Sequence, residues 1–179
     1  MKYILFFLPL FLLAAACNKQ IKELPQPTDT GANIFGAKVD SMLWAPKGFG
    51  LAATAPVLEA RYGEGRSVVI NARNFAKEPT ETEFEIYLYN VTAPGTYYLN
   101  TNTGIYPNQH ANYAYYIERK ISPVNEWMTT SVYTGTVTIT KADTMARIVA
   151  GTFQFNAINR YGTPKAISVT EGRFDIKIP

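Results

Sequence analysis

The sequence predicts an all-β protein, an antiparallel β-sandwich ending in a C-terminal meander, with a partly open β-barrel as the alternative closure. Three observations predict it. From Ile34 onward, apolar and polar residues alternate in short runs, the two-residue period of strands with one buried face. Gly, Pro and Asn interrupt these runs at close intervals, as turns between strands require. No run of ten or more residues carries the 3.6-residue period of an amphipathic helix.

The candidate strands follow in chain order: Ile34 to Val39, Gly50 to Glu59, Arg66 to Asn74, Glu83 to Val91, Gly95 to Leu99 and Tyr113 to Arg119. Then come Ser131 to Thr140, Arg147 to Ala157, Ala166 to Thr170 and Gly172 to Ile178. In the fourth, Phe84, Ile86 and Leu88 share a dry face, while Glu83, Glu85, Tyr87 and Tyr89 share a wet one. The last repeats this with Phe174, Ile176 and Ile178 inside and Arg173, Asp175 and Lys177 outside. Lys141-Ala-Asp-Thr supplies turn residues between two strands of the expected meander. Gly135, Gly151 and Gly172 stand near strand starts, where a missing Cβ admits a bulge or a close crossing.

The first 33 residues have a different texture. Lys2 is followed by an uncharged stretch from Tyr3 to Ala16 and then by Cys17, the one cysteine. About 14 apolar residues suit a secretory signal and fall short of the roughly 20 that span a bilayer. Ala14, Ala15 and Ala16 fit a signal peptidase, and the run into Cys17 resembles the lipobox of bacterial lipoproteins, although Ala14 stands where leucine is usual. That resemblance implies cleavage after residue 16 and lipidation at Cys17. Lipid chains contribute about 0.8 kcal/mol per buried methylene, and two or more anchor stably. A lone thiol cannot close an internal disulfide, build a thiolate zinc site or hold an iron–sulfur cluster. Residues 18–33 hold Pro25, Pro27, Thr28, Asp29, Thr30 and Gly31 with few large apolar groups, the composition of a flexible tether. Residues 34–179 then form one β-domain.

Charge limits the partners. There are 17 basic and 14 acidic residues, a net +3, and removing the leader with Lys2 leaves the mature chain nearer neutrality. No block of like charge supplies a nucleic-acid footprint. The expected partners are a membrane, through the lipid, and a glycan or an envelope protein.

No cofactor, metal or catalytic constellation emerges. His110 is the one histidine and has no local carboxylates or imidazoles for a metal site. No Gly-x-Ser-x-Gly elbow and no phosphate-binding glycine spacing occurs. The expectation is a non-enzymatic domain. The alternative is an envelope glycoside hydrolase or other hydrolase using Glu83 and Glu85, two residues apart on one strand and so about 7 Å apart on one face. Tyrosines and amides concentrate between residues 97 and 133, and rings beside amides are what a saccharide-binding surface uses. Tyr106, Tyr113, Tyr115, Tyr116 and Trp127 are therefore the candidate ligand-binding residues. The competing explanation is the ordinary preference of tyrosine for strands.

Phe35-Gly-Ala-Lys-Val-Asp with Trp44, Gly135-Thr-Val-Thr-Ile-Thr, Gly151-Thr-Phe-Gln-Phe-Asn-Ala and Val169-Thr-Glu-Gly-Arg-Phe-Asp together resemble an uncharacterised lipoprotein family of Bacteroidota, domain of unknown function 6252. The resemblance covers most of residues 34–178. It implies an envelope lipoprotein with a β-rich domain and carries over no catalytic residue. In that setting Asp40-Ser41-Met42 and Asp143-Thr144-Met145 resemble O-glycosylation sites, making Ser41 and Thr144 the acceptors. Asn18 is not the aspartate that retains some lipoproteins at the inner membrane, and residues 18–23 lack an acidic run for surface export. The expected address is the outer membrane, facing the periplasm.

Overall fold

The computed structural model describes residues 21–48, 56–75, 80–103, 110–120, 122–161 and 163–179. Among these it contains eleven strands and one turn of 3-10 helix, Glu64–Arg66. The strands are β1 (Ile34–Val39), β2 (Met42–Trp44), β3 (Leu58–Gly63), β4 (Ser67–Asn74), β5 (Glu81–Leu88), β6 (Gly95–Leu99), β7 (Tyr113–Arg119), β8 (Pro123–Met128), β9 (Gly135–Asp143), β10 (Ile148–Asn159) and β11 (Ala166–Lys177).

All of them belong to one antiparallel sheet with the order β2-β1-β11-β10-β8-β7-β5-β4-β3, and β9, carrying β6, joins beside β10. The twelve-residue β10 makes this branch. Its residues Ile148 to Phe155 pair with β9, and Ile158 and Asn159 pair with β8. Two layers therefore diverge from one strand. Their inner faces meet around Phe84 of β5, whose ring lies 5.5 Å from Phe35, 4.6 Å from Trp44 and 6.1 Å from Phe153. The all-β antiparallel expectation holds, including the meander β9-β10-β11. The two layers are parts of a single open sheet, and the barrel alternative is not realised.

Local chemistry explains the strand ends. Asp40 and Ser41 both have positive φ, +46° and +69°, the backbone of a two-residue I′ hairpin. They join β1 to β2, an edge strand too short for alternation to mark. β8 begins at Pro123, where a missing N–H costs no ladder bond. The meander turn falls at residues 144–147, not at Lys141, because β9 continues to Asp143, where the side-chain oxygen accepts the Ala146 N–H at 2.7 Å. The two expected strands after Ala166 are one, with Glu171 at φ +52° as a bulge between them. Opposite it, Phe153 lies over Gly172, where an added Cβ would stand 2.5 Å from the ring. Much of the expected strand from Gly50 lies outside the described residues; β3 runs from Leu58.

The tether is shorter than expected. Leu24 is buried, and the carboxylate of Asp175 accepts the Thr28 hydroxyl at 2.7 Å and the N–H groups of Thr30, Gly31 and Ala32 at 2.8–3.0 Å. Asp175, expected to face water, is fully buried. Burial alone raises its carboxyl, and the four donors outweigh that and hold it below the usual carboxylate range. A buried carboxylate needs these donors, and the proline-rich segment supplies them.

Candidate functional site

Strand alternation divides the candidate aromatic residues. On β7, Ala114 and Tyr116 point into the main core, and Tyr113, Tyr115 and Ile117 point to the other face. Tyr116 is 2% exposed, 4.8 Å from Phe84 and 5.8 Å from Trp127. Burial pushes its hydroxyl well above the usual phenol range, against a lowering hydrogen bond with Thr82. Tyr113 and Tyr115 stack in a second cluster with Tyr87, Val69 and Met128, with centroids 5.2 Å apart for Tyr87 and Tyr113. The Tyr113 hydroxyl donates to Glu85 at 2.8 Å. Tyr113 and Tyr115 are buried by packing side by side with same-face side chains of β4, β5 and β8, Val69, Tyr87 and Met128. Trp127 is also buried, its indole N–H donating to the Lys165 carbonyl at 3.0 Å. Tyr106 lies outside the described residues.

The glutamate pair is corrected as well. Glu83 and Glu85 do not stand on a wet face; both are buried. Glu83 pairs with Arg119 and, at 3.2 Å, with Arg73, which also reaches Glu59 at 2.9 Å. Glu85 accepts from Asn71 at 2.8 Å as well as from Tyr113. These donors compensate the burial of each carboxylate.

Rings beside amides do occur together, at Tyr98. On β6, β9 and β10 the outward positions align as Thr96, Thr138 and Thr152 in one row and Tyr98, Thr136 and Gln154 in the next. Tyr98 is 61% exposed. Its strand is pinned by Asn112, which donates to the Tyr98 carbonyl at 3.2 Å and accepts the Tyr89 N–H at 2.8 Å. A shallow depression of about 540 Å³ lies beside the ring, reached by Asn100, Gln154, Asn156 and Thr170, and its lining contains no charged residue. An exposed ring offers a stacking platform, and the amides and hydroxyls both donate and accept. That chemistry suits a neutral polyhydroxylated ligand. The signal was in the sequence, since Tyr98 and Asn100 sit in the tyrosine-rich stretch, but Gln154 and Asn156 are over 50 residues away and only strand pairing brings them in.

A second concavity differs in every respect. A broad groove of about 1590 Å³ runs between the β1–β2 hairpin, the β7–β8 end and the β10–β11 loop. Trp44, Tyr116 and Trp127 line it, so two of the candidate residues meet here, and exposed Met42, Leu43, Val124 and Tyr161 stand around it. Trp44 is held by its indole N–H, which donates to Thr82 at 2.9 Å. Ile21 and Lys22, the first described residues, also line this groove.

The modification candidates both fall in turns. Ser41 is exposed beside the groove and Thr144 is exposed in the β9–β10 turn, next to the 95% exposed Met145. Cys17 lies outside the described residues. His110 is exposed, its ring 5.0 Å from that of Tyr89. Among the described residues no group of three or more His, Cys, Asp or Glu could hold a metal ion, and no helix is long and apolar enough to cross a membrane.

No curated protein and no solved structure shows significant similarity to the chain. The family model described as Domain of unknown function (DUF6252) matches residues 34–179, from the first residue of β1 to two residues beyond β11. The protein belongs to the DUF6252 family, a family defined by its shared domain and by no activity.

Proposed function

We propose that this is a lipid-anchored, non-enzymatic binding protein of the cell envelope. Cys17 holds it at the outer membrane on the periplasmic side, and the Tyr98 face takes a neutral saccharide. The observation that carries the binding reading is the uncharged row of Tyr98, Thr136 and Gln154 with Asn100 and Asn156 around one open ring. Anchoring is supported by the leader and single cysteine of the sequence. Ser41 and Thr144 remain the proposed O-glycan acceptors, since both are exposed at turns where a transferase has access.

Two measurements test this reading. Labelled fatty acid should enter the wild-type chain and not Cys17→Ala; equal labelling would sink the anchor. On a glycan array the mature chain should bind neutral oligosaccharides, and Tyr98→Ala should lose about tenfold in affinity, the worth of one stacked ring at the upper end. Binding that Tyr98→Ala leaves unchanged removes the assigned face.

A further inference from the structure

Four of the seven exposed large apolar side chains among the described residues, Met42, Leu43, Val124 and Tyr161, gather at the groove. Scattered surface apolars need no explanation, but a contiguous group marks an interaction surface. At about 1590 Å³ the groove is larger than the about 300–1,000 Å³ typical of small-molecule pockets. Lys22, Lys47 and Lys165 stand among the apolar groups. The acids Asp40 and Glu118 line the same groove, which leaves the lysines in excess by one charge. Apolar side chains and tyrosine edged by lysines are the composition of a surface that lies in a bilayer interface.

The position of the chain selects the occupant. Ile21 lines this groove, and Cys17 is four residues earlier. Four residues reach at most about 14 Å. On the proposed anchoring at Cys17, that keeps the groove rim within about one headgroup layer of the lipid, where contact needs no further search. We infer that Met42, Leu43, Val124 and Tyr161 form the face by which the domain seats on the membrane that holds its own anchor. The domain is then oriented at the bilayer and does not swing from a free tether. This rests on the proposed anchoring, so the test separates the two.

Trp44 and Trp127 are the two tryptophans of the chain and both line the groove, so their emission reports what enters it. The full chain, produced in a host that processes lipoproteins, is reconstituted into phosphatidylcholine–phosphatidylglycerol vesicles whose acyl chains carry bromine near the headgroup. Wild-type emission should be quenched. The double substitution Met42→Glu, Leu43→Glu should relieve the quenching while the protein still sediments with the vesicles and its near-ultraviolet circular dichroism is unchanged. Sedimentation without quenching, or equal quenching in the double variant, overturns the seat and leaves the anchor intact. If no fatty acid is incorporated the anchor fails, and the Cys17→Ala chain decides the seat: vesicle-dependent quenching relieved by the double substitution supports it, and absence of quenching overturns it. A concentration-dependent dimer in solution that the double substitution abolishes would give the rim to a second copy and overturn it too.

Discussion

The Tyr98 face and the groove below Trp44 are built from the same sheet and are chemically opposed. At Tyr98 the strands β6, β9 and β10 pair residue for residue from Gly151 to Phe155, so the residues that do not point inward appear outside, and those positions hold Thr, Gln, Asn and a single ring. At the groove the strands end. Leu43 sits on a three-residue edge strand and Tyr161 in a loop, with no layer above to cover them. Alternation disposes of apolar side chains only where a second layer exists, and where it stops they stay exposed unless a partner covers them. The polar face is what regular pairing leaves over; the apolar end is where Ile21, the first described residue, lies.

That contrast can be broken at its common support. Phe84 touches Trp44 and Tyr116 under the groove and Phe153 and Phe155 of β10, the strand that carries Gln154 outward. Phe84→Ala should cost about 3–5 kcal/mol in denaturant titration and weaken both regions together. If it impaired one alone, they would not share a core.

Asp175→Ala leaves donors of the 28–32 segment unsatisfied and should cost about 3 kcal/mol. Because the folded carboxyl lies below its ordinary value, its stabilisation is full above the usual range near about pH 4 and is lost as pH falls through the lowered value. Thermal midpoints of the wild type should therefore drop on acidification more steeply than those of Asp175→Asn. Parallel curves would show that the charge does not hold the segment.

Gly151→Ala tests the regular region selectively. A Cβ there runs into the Thr138 carbonyl oxygen and the Phe174 ring, and overpacking of this kind costs about 1–3 kcal/mol. Saccharide binding at Tyr98 should weaken with it, whereas vesicle quenching at the groove should not change.

The smallest stability effects belong to the surfaces themselves. Tyr98→Ala and Leu43→Glu should each move the thermal unfolding free energy by no more than about 0.5 kcal/mol, since both side chains are exposed. A larger loss at Leu43 would mean that the rim is covered by the protein itself.

Where alternation is long, the sequence was legible. β1, β6 and β7 appear with their predicted ends, and Phe84, Ile86 and Leu88 are all fully buried. Short or irregular segments escaped: β2 has three residues, β8 opens on proline, and the bulge at Glu171 reads as a break between two strands. The exposure of the candidate site residues was misread for a different reason. Tyr113, Tyr115, Glu83 and Glu85 alternate as a wet face should, yet β5 and β7 lie inside the sheet, where cross-strand neighbours bury both faces. Alternation fixes which residues share a side and does not say whether that side meets water.

By itself the sequence determined the all-β class, the antiparallel meander and the inward residues of most strands, because these follow from local period and turn chemistry. Tertiary structure decided the rest. Strand order made Tyr98 a face by bringing Gln154 and Asn156 to it, buried the glutamates, and fastened residues 28–32 to Asp175. These depend on which strands become neighbours, from the adjacent β4 and β7 that enclose the glutamates to partners 147 residues apart at Thr28 and Asp175, and that is set by the packing of Phe84 and its partners in one shared core, which no local window contains.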